Sequence, residues 1–316
     1  MRKFVSVFAA VSLAVLCASC SDNKKIKIGI VQLVEHPALD ASYQGFVDGL
    51  AEAGYIDKKN IKLDYQNAQG EPSNCVTIAQ KLVADRDDLI LAIATPAAQA
   101  VANLTTTIPI VITAVTDPET SQLVKSNANP QTNVTGTSDL TPVSAQIDLL
   151  KQIFPDAQKV GLLYCSSEEN SRFQINMAKE ACDRVGLQYV DATVSNTNEV
   201  QQVVQSLVGK IDVLYSPTDN MIASCMATVS MVANENKIPM ICGEDGMVQG
   251  GGLATYGINY YALGKQTAKM AVEILRDGKN PADMPIQYVE ECVFSYNKDT
   301  AEQLGITIPQ ELLDSI

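Results

Sequence analysis

The chain reads as a parallel α/β protein divided into two lobes of one topology. Three observations predict it. Apolar runs of strand length alternate with amphipathic stretches of helical period. The composition, 46% hydrophobic and 19% charged over 316 residues, can fill two cores and lies far from that of disordered chains. The pattern also repeats once, at an offset of about 132 residues.

In chain order, Arg2 and Lys3 precede an almost wholly apolar run over 4–16. Cys17-Ala18-Ser19-Cys20 and polar Ser21-Asp22-Asn23 follow. A positive start and an apolar stretch too short for a comfortable span read as a secretion signal over 1–19. Two small residues directly before Cys20 resemble a lipoprotein processing site, although Cys17 stands where that site usually has Leu. Processing there would leave Cys20 as the acylated first residue and tie the protein to the cell membrane. The alternative is plain secretion with Cys20 an ordinary thiol. Cys75, Cys165, Cys182, Cys225, Cys242 and Cys292 would then lie in a compartment that permits disulfides. Most of them sit in strand-like or helix-like runs, which suits small buried core residues equally well.

Strands buried on both faces are expected at 26–34, 89–94, 108–115, 160–165, 213–215 and 238–242. Lys27-Ile28-Gly29-Ile30-Val31 resembles Lys159-Val160-Gly161-Leu162-Leu163. The helices that follow end at Gly54 and Gly186, a residue suited to the C-cap. Thr95-Pro96 then matches Ser216-Pro217, and Ile108-Pro109 matches Ile238-Pro239. Order and spacing together place lobe one at 26–140 and lobe two at 141–255. The stretch 260–278 reads as a long helix with Leu263, Thr267, Met270, Ala271 and Ile274 on one side, so 256–279 is expected to pack back on lobe one. A strand over 285–296 and the tail, 280–316 in all, are expected to rejoin lobe two. Short crossings between the lobes can act as a hinge.

The formal net charge of −13 argues against nucleic acid as a partner, because that binding draws on Lys and Arg. No Gly-rich phosphate loop of either common type is present. A secreted hydrolase is the main alternative class, yet the sequence has no Gly-x-Ser-x-Gly elbow and His36 is its single histidine. His36 reads as a loop residue shaping a cleft. No zinc-type cysteine pair remains after 1–19.

In open parallel sheets, ligands sit beyond the carboxyl ends of the strands, where helix N-termini converge. Two facing lobes would line a cleft with such loops. The candidate contacts are Glu35, Thr95, Ala97, Thr116, Asp117 and Ser138 from lobe one, and Glu168, Asn170, Asp219 and Glu244 from lobe two. Pro96 at the first helical turn leaves the next amides free to meet a carboxylate. Glu168, Asp219 and Glu244 could hold an ammonium, so the pair of lobes would read a zwitterion. Each of these residues is also a natural helix cap or turn former.

These loops resemble one family. Ile30-Val31-Gln32-Leu33-Val34-Glu35-His36-Pro37-Ala38-Leu39-Asp40, Thr95-Pro96-Ala97-Ala98-Gln99-Ala100, Ala114-Val115-Thr116-Asp117-Pro118, Asn133-Val134-Thr135-Gly136-Thr137-Ser138-Asp139, Pro217-Thr218-Asp219-Asn220 and Leu253-Ala254-Thr255-Tyr256-Gly257-Ile258 are similar to ABC-transporter substrate-binding proteins whose better-known members bind tryptophan and tyrosine. The resemblance covers about 26–312. It implies a type I periplasmic-binding-protein fold, no catalysis and no cofactor, a small aromatic or hydrophobic amino-acid ligand, an ABC permease as partner, and a monomer. A sugar or nucleoside is the alternative solute. The chain has no Trp, so stacking on a ring would fall to a tyrosine such as Tyr43, Tyr164, Tyr256 or Tyr260.

Overall fold

The structure is a computed structural model that describes residues 25–289 and 291–315. The expected signal over 1–19 and Cys20 lie outside the described residues. The first lobe runs β1 (Ile26–Gln32), α1 (Pro37–Glu52), β2 (Ile61–Asn67), α2 (Pro72–Ala84), β3 (Leu89–Ile93), α3 (Thr95–Ala102), β4 (Ile110–Val115) and β5 (Val134–Ser138). The second runs α4 (Val143–Ile153), β6 (Lys159–Cys165), α5 (Glu169–Val185), β7 (Gln188–Val194), α6 (Val200–Ser206), β8 (Val213–Ser216), α7 (Asn220–Ser224), α8 (Met226–Glu235), β9 (Met240–Cys242), α9 (Asp245–Gln249) and β10 (Ala254–Gly257). Then come α10 (Tyr260–Asp277), β11 (Gln287–Tyr288), β12 (Val293–Tyr296), α11 (Lys298–Leu304) and α12 (Gln310–Leu313).

The duplication holds strand for strand. One sheet has the order β11-β5-β4-β3-β1-β2 and the other β12-β10-β9-β8-β6-β7. The matched pentapeptides are β1 and β6, which occupy equivalent places. Gly186 caps α5 in the left-handed conformation (φ 70°), as its lack of a Cβ allows. β3 and β4 are buried at every position, which explains their unbroken apolar runs.

The last return differs from expectation. The segment 285–296 is two strands, not one. β11 pairs in parallel with β5, and Met284 and Ile286 join the first core, so the chain stays with lobe one until about 289. β12 alone crosses over, antiparallel to β10. The physical reason is that Met284 and Ile286 bury against the β5 side, while Phe294 buries in the other lobe. Three crossings therefore join the lobes, at about 139–142, at 258–259 and between β11 and β12.

The helix α10 packs on α1 almost backbone to backbone. A Cβ at Gly45 would come 2.0 Å from the Tyr261 carbonyl oxygen, and one at Gly264 equally close to that of Ser42. This contact seats Tyr260, the first residue of α10, at the cleft.

Among the described residues all six cysteines are free. Cys75, Cys165, Cys182 and Cys242 are buried, Cys225 is half-buried and Cys292 is exposed.

Candidate functional site

The carboxyl ends of β1, β4, β5, β6, β8 and β9 meet at a narrow cavity between the lobes. Lobe one and the crossings supply His36, Leu39, Ala114, Thr116, Asp139 and Tyr260; lobe two supplies Asn170, Thr218, Asp219, Asn220, Ala223 and Glu244. The lobes are shut on a volume of about 10 Å³, room for about one water, so a solute enters only by parting them.

A bulge in β4 aims one of these residues. The β4–β5 register shifts between Ile112 and Val115, and Ala114 there has φ 53°. Gly136 faces the irregularity on β5 with φ 145°, where a Cβ would lie 2.1 Å from the Ile112 oxygen. The bulge turns Thr116 inward. Its hydroxyl donates to Asp139 Oδ1 (3.2 Å) and accepts from Gln174 Nε2 of lobe two (3.3 Å).

Among the described residues, three carboxylates border the cavity and no Lys or Arg does. Asp139 sits on the first crossing, buried, and its side-chain partners are two neutral hydroxyls, of Thr116 and of Tyr260 (2.8 Å). Burial pushes its carboxyl up from 3.8 to about 6. Asp219 caps α7, accepting from the Ile222 amide (2.8 Å), and also takes the Cys165 amide (2.6 Å). Glu244 caps α9 through the Gly246 and Met247 amides. Burial pushes it up to about 7, and the Asp139 charge adds to the effect. An acceptor-lined, negatively charged space of this kind is built for a group that brings its own positive charge.

The expected residues divide. Thr116, Asn170, Asp219 and Glu244 come together at the cavity. Glu168 is buried next to it but turns to the Asn220 side chain (2.5 Å) and the Met221 amide (3.0 Å); burial and the Asp219 charge push it up. Asp117 does not reach the cavity. It holds its own turn, accepting from the Thr120 amide (2.7 Å) and from Asn127 (3.2 Å), the cap role its position always allowed. Ser138 likewise serves the backbone, donating to the Thr116 carbonyl (2.7 Å). Thr95 and Ala97 are buried at the start of α3 without lining the cavity, and Glu35 is exposed while its neighbour His36 turns in.

Asp139, Thr218 and Asn220 are polar lining residues that the expected contacts lacked, and His36 and Tyr260, expected only to shape the cleft or to stack on a ring, line it as well. Each stands at a strand end or beside a crossing, which is the signal that could have found them. Among the tyrosines only Tyr260 lines the cavity; Tyr43 packs on Tyr65 (4.5 Å between rings) and Tyr256 on Phe294 (5.8 Å).

Outside the cavity lies a groove of about 510 Å³, with Val34, Pro72, Pro96 and Gln99 on one side and Ser167, Glu168, Asn196 and Met221 on the other. Asn220 borders both spaces, and its contact with His36 (3.4 Å) partitions them. A stronger bond spans the lobes at the groove, from Gln99 to Glu169 (2.8 Å). Among the described residues no cluster of three or more His, Cys, Asp or Glu is placed to hold a metal.

Residues 27–315 match the model of the family described as ABC transporter substrate binding protein. A tyrosine-binding protein of Clostridioides difficile (strain R20291) is 47% identical over 287 residues, 90% of this chain and 83% of that protein. An ABC domain from Streptococcus pneumonia, solved in complex with L-Trp, superposes with TM-score 0.89 at 40% identity, over 92% of this chain and 98% of that one. A ligand-free, open substrate binding protein from Clostridium difficile is more similar in sequence, 48% identical over 90% of this chain and 96% of that one, yet superposes at only 0.69. The lower score at the higher identity places the lobes of this chain in the closed arrangement. Receptors of this family are extracytoplasmic, work with ABC permeases and are not an enzyme family. Two matched lobes of the type I periplasmic-binding-protein fold, closed on a cleft fed by both sets of strand ends, agree with the sequence match: the chain belongs to the ABC transporter substrate-binding proteins.

Proposed function

We propose that this receptor captures an aromatic or hydrophobic amino acid and delivers it, as a monomer anchored by a lipid on Cys20, to an ABC permease. The observation that carries the ligand class is the buried Asp139 carboxylate, which lines the cavity with Asp219 and Glu244 and whose side-chain partners are two neutral hydroxyls. An α-ammonium supplies the missing charge. Asp219 and Glu244 are already served by backbone amides, so Asp139 is the group with most to gain. Leu39, Ala114, Ala223 and the Tyr260 ring offer the apolar surface for a side chain. The similar protein named tyrosine-binding and the similar domain solved in complex with L-Trp support the same class. The two small residues before Cys20 support the anchor.

The test is thermal denaturation of the mature protein against all twenty amino acids, with sugars and nucleosides as controls. A receptor of this kind gains about 2.7 kcal/mol at a hundredfold excess over Kd, read as a clear rise in melting temperature. Stabilisation by a sugar or nucleoside with every amino acid silent would overturn the assignment.

A further inference from the structure

Two buried polar atoms that face the cavity have no partner, His36 Nδ1 and Asn170 Oδ1. Their hydrogen-bonding sense follows from their neighbours. Both oxygens of Glu168 receive backbone amides, Oε1 from Met221 (3.0 Å) and Oε2 from Asn220 (3.3 Å), so both act as acceptors. The Asn220 side chain must therefore point its NH₂ at Glu168 Oε2 (2.5 Å), which leaves its Oδ1 facing His36 Nε2. His36 Nε2 is then the protonated nitrogen, and Nδ1 carries a bare lone pair. Burial pushes the imidazole down to about 4, so the ring is neutral at physiological pH. Asn170 is fixed in the same way. Its NH₂ meets the Thr218 carbonyl (3.1 Å) and Glu168 Oε2 (3.3 Å), and its oxygen is left as an acceptor.

The two ends of the cavity differ. Asp139 lies on the first crossing and Tyr260 directly after the second, so the carboxylate that lacks a backbone-amide partner from another residue stands at the hinge end. Asn220, away from the crossings, also borders the outer groove, and His36 contacts it there (3.4 Å). An amino acid whose ammonium meets Asp139 extends its side chain towards them. We infer that His36 Nδ1 accepts a hydrogen bond from an O–H or N–H at the end of the ligand's side chain, so the receptor selects a phenol or an indole over a plain phenyl ring. This rests on the amino-acid reading above and adds a determinant of specificity, His36, oriented by the Glu168–Asn220 pair. A site built around a buried acceptor rejects the analogue lacking the donor, because the lone pair is then left unpaired.

Isothermal titration calorimetry of the wild-type protein with L-tyrosine, L-tryptophan and L-phenylalanine needs no variant. Tyrosine or tryptophan should bind at least tenfold more tightly than phenylalanine. His36→Phe should compress that ratio to within about threefold, and His36→Asn, which can place an oxygen near the position of Nδ1, should restore part of it. Phenylalanine binding as tightly as both others to wild type would overturn the inference while leaving the amino-acid reading intact, as would an equal loss for all three ligands in His36→Phe. Silence from all three, with another solute bound, would remove the parent reading and this one together.

Discussion

Asp139→Asn should have effects of opposite sign on the empty and the loaded receptor. A carboxyl whose folded value is raised from 3.8 to about 6 binds its proton more tightly in the fold than in the unfolded chain. Wild-type stability therefore falls as pH rises through that window and stays at the lower level above it. At about 1.36 kcal/mol per pH unit between the two values, the cost reaches about 3 kcal/mol at pH 7.5, against about 0.6 kcal/mol at pH 4. The asparagine has no such titration. It does place an NH₂ near the Tyr260 and Thr116 hydroxyls, at a cost of roughly 1–2 kcal/mol at every pH. The net expectation is an empty variant that melts a few degrees above wild type at pH 7.5 and below it at pH 4. The ligand should tell the reverse story, because its ammonium loses a buried partner worth about 3 kcal/mol, a loss of affinity on the order of a hundredfold. Melting curves from pH 4 to 8 and calorimetry at pH 7.5 check both halves. A melting difference that does not change with pH, or an affinity that does not fall, would refute the reasoning.

Three further outcomes are expected. Gln99→Ala removes the 2.8 Å bond to Glu169 across the lobes. A partly exposed bond of this kind is worth roughly 1 kcal/mol, so affinity should drop about fivefold, mainly through faster dissociation in stopped-flow measurements. Gly264→Ala forces a Cβ against the Ser42 carbonyl, and overpacking of that kind costs roughly 1–3 kcal/mol, read as a lower melting temperature. Cys20→Ser should move the protein from the membrane to the soluble fraction; retention in membranes would remove the anchor.

The lobes were legible because their determinants are local and repeated. β1 and β6 carry similar pentapeptides and occupy equivalent places in two sheets of equivalent order. The late return of the chain was not legible, since 285–296 is one apolar-rich stretch in sequence. Which lobe takes Met284 and which takes Phe294 is decided by tertiary packing. The site was legible at the level of loops and half-legible at the level of residues. Asp219 and Glu244 were found, and each reaches the cavity while capping a helix, so cap and contact were never exclusive. Asp117 looked equivalent to Asp219 in sequence, but its own turn absorbs it. Asp139 matters more because the crossing carries it inward, and a crossing leaves no periodic mark in a sequence.

The contacts across the cleft explain how such a receptor stays responsive. Thr116 meets Thr218 at 3.5 Å and His36 meets Asn220 at 3.4 Å, both at the long end of the hydrogen-bond range, where each holds little. Against them stand Asp139, Asp219 and Glu244, all pushed up by burial, so closing without a cation costs free energy that opening to water returns. Closure of the empty receptor is thus held by long contacts at the cavity and by the Gln99–Glu169 bond at the groove, and it is electrostatically opposed at neutral pH. A ligand bearing an ammonium reverses the second of these terms while touching both lobes. Its differential affinity for the closed state, not its contact with either lobe alone, sets the equilibrium. An apolar solute of the same shape without a positive charge should therefore fill the cleft and still fail to keep it shut.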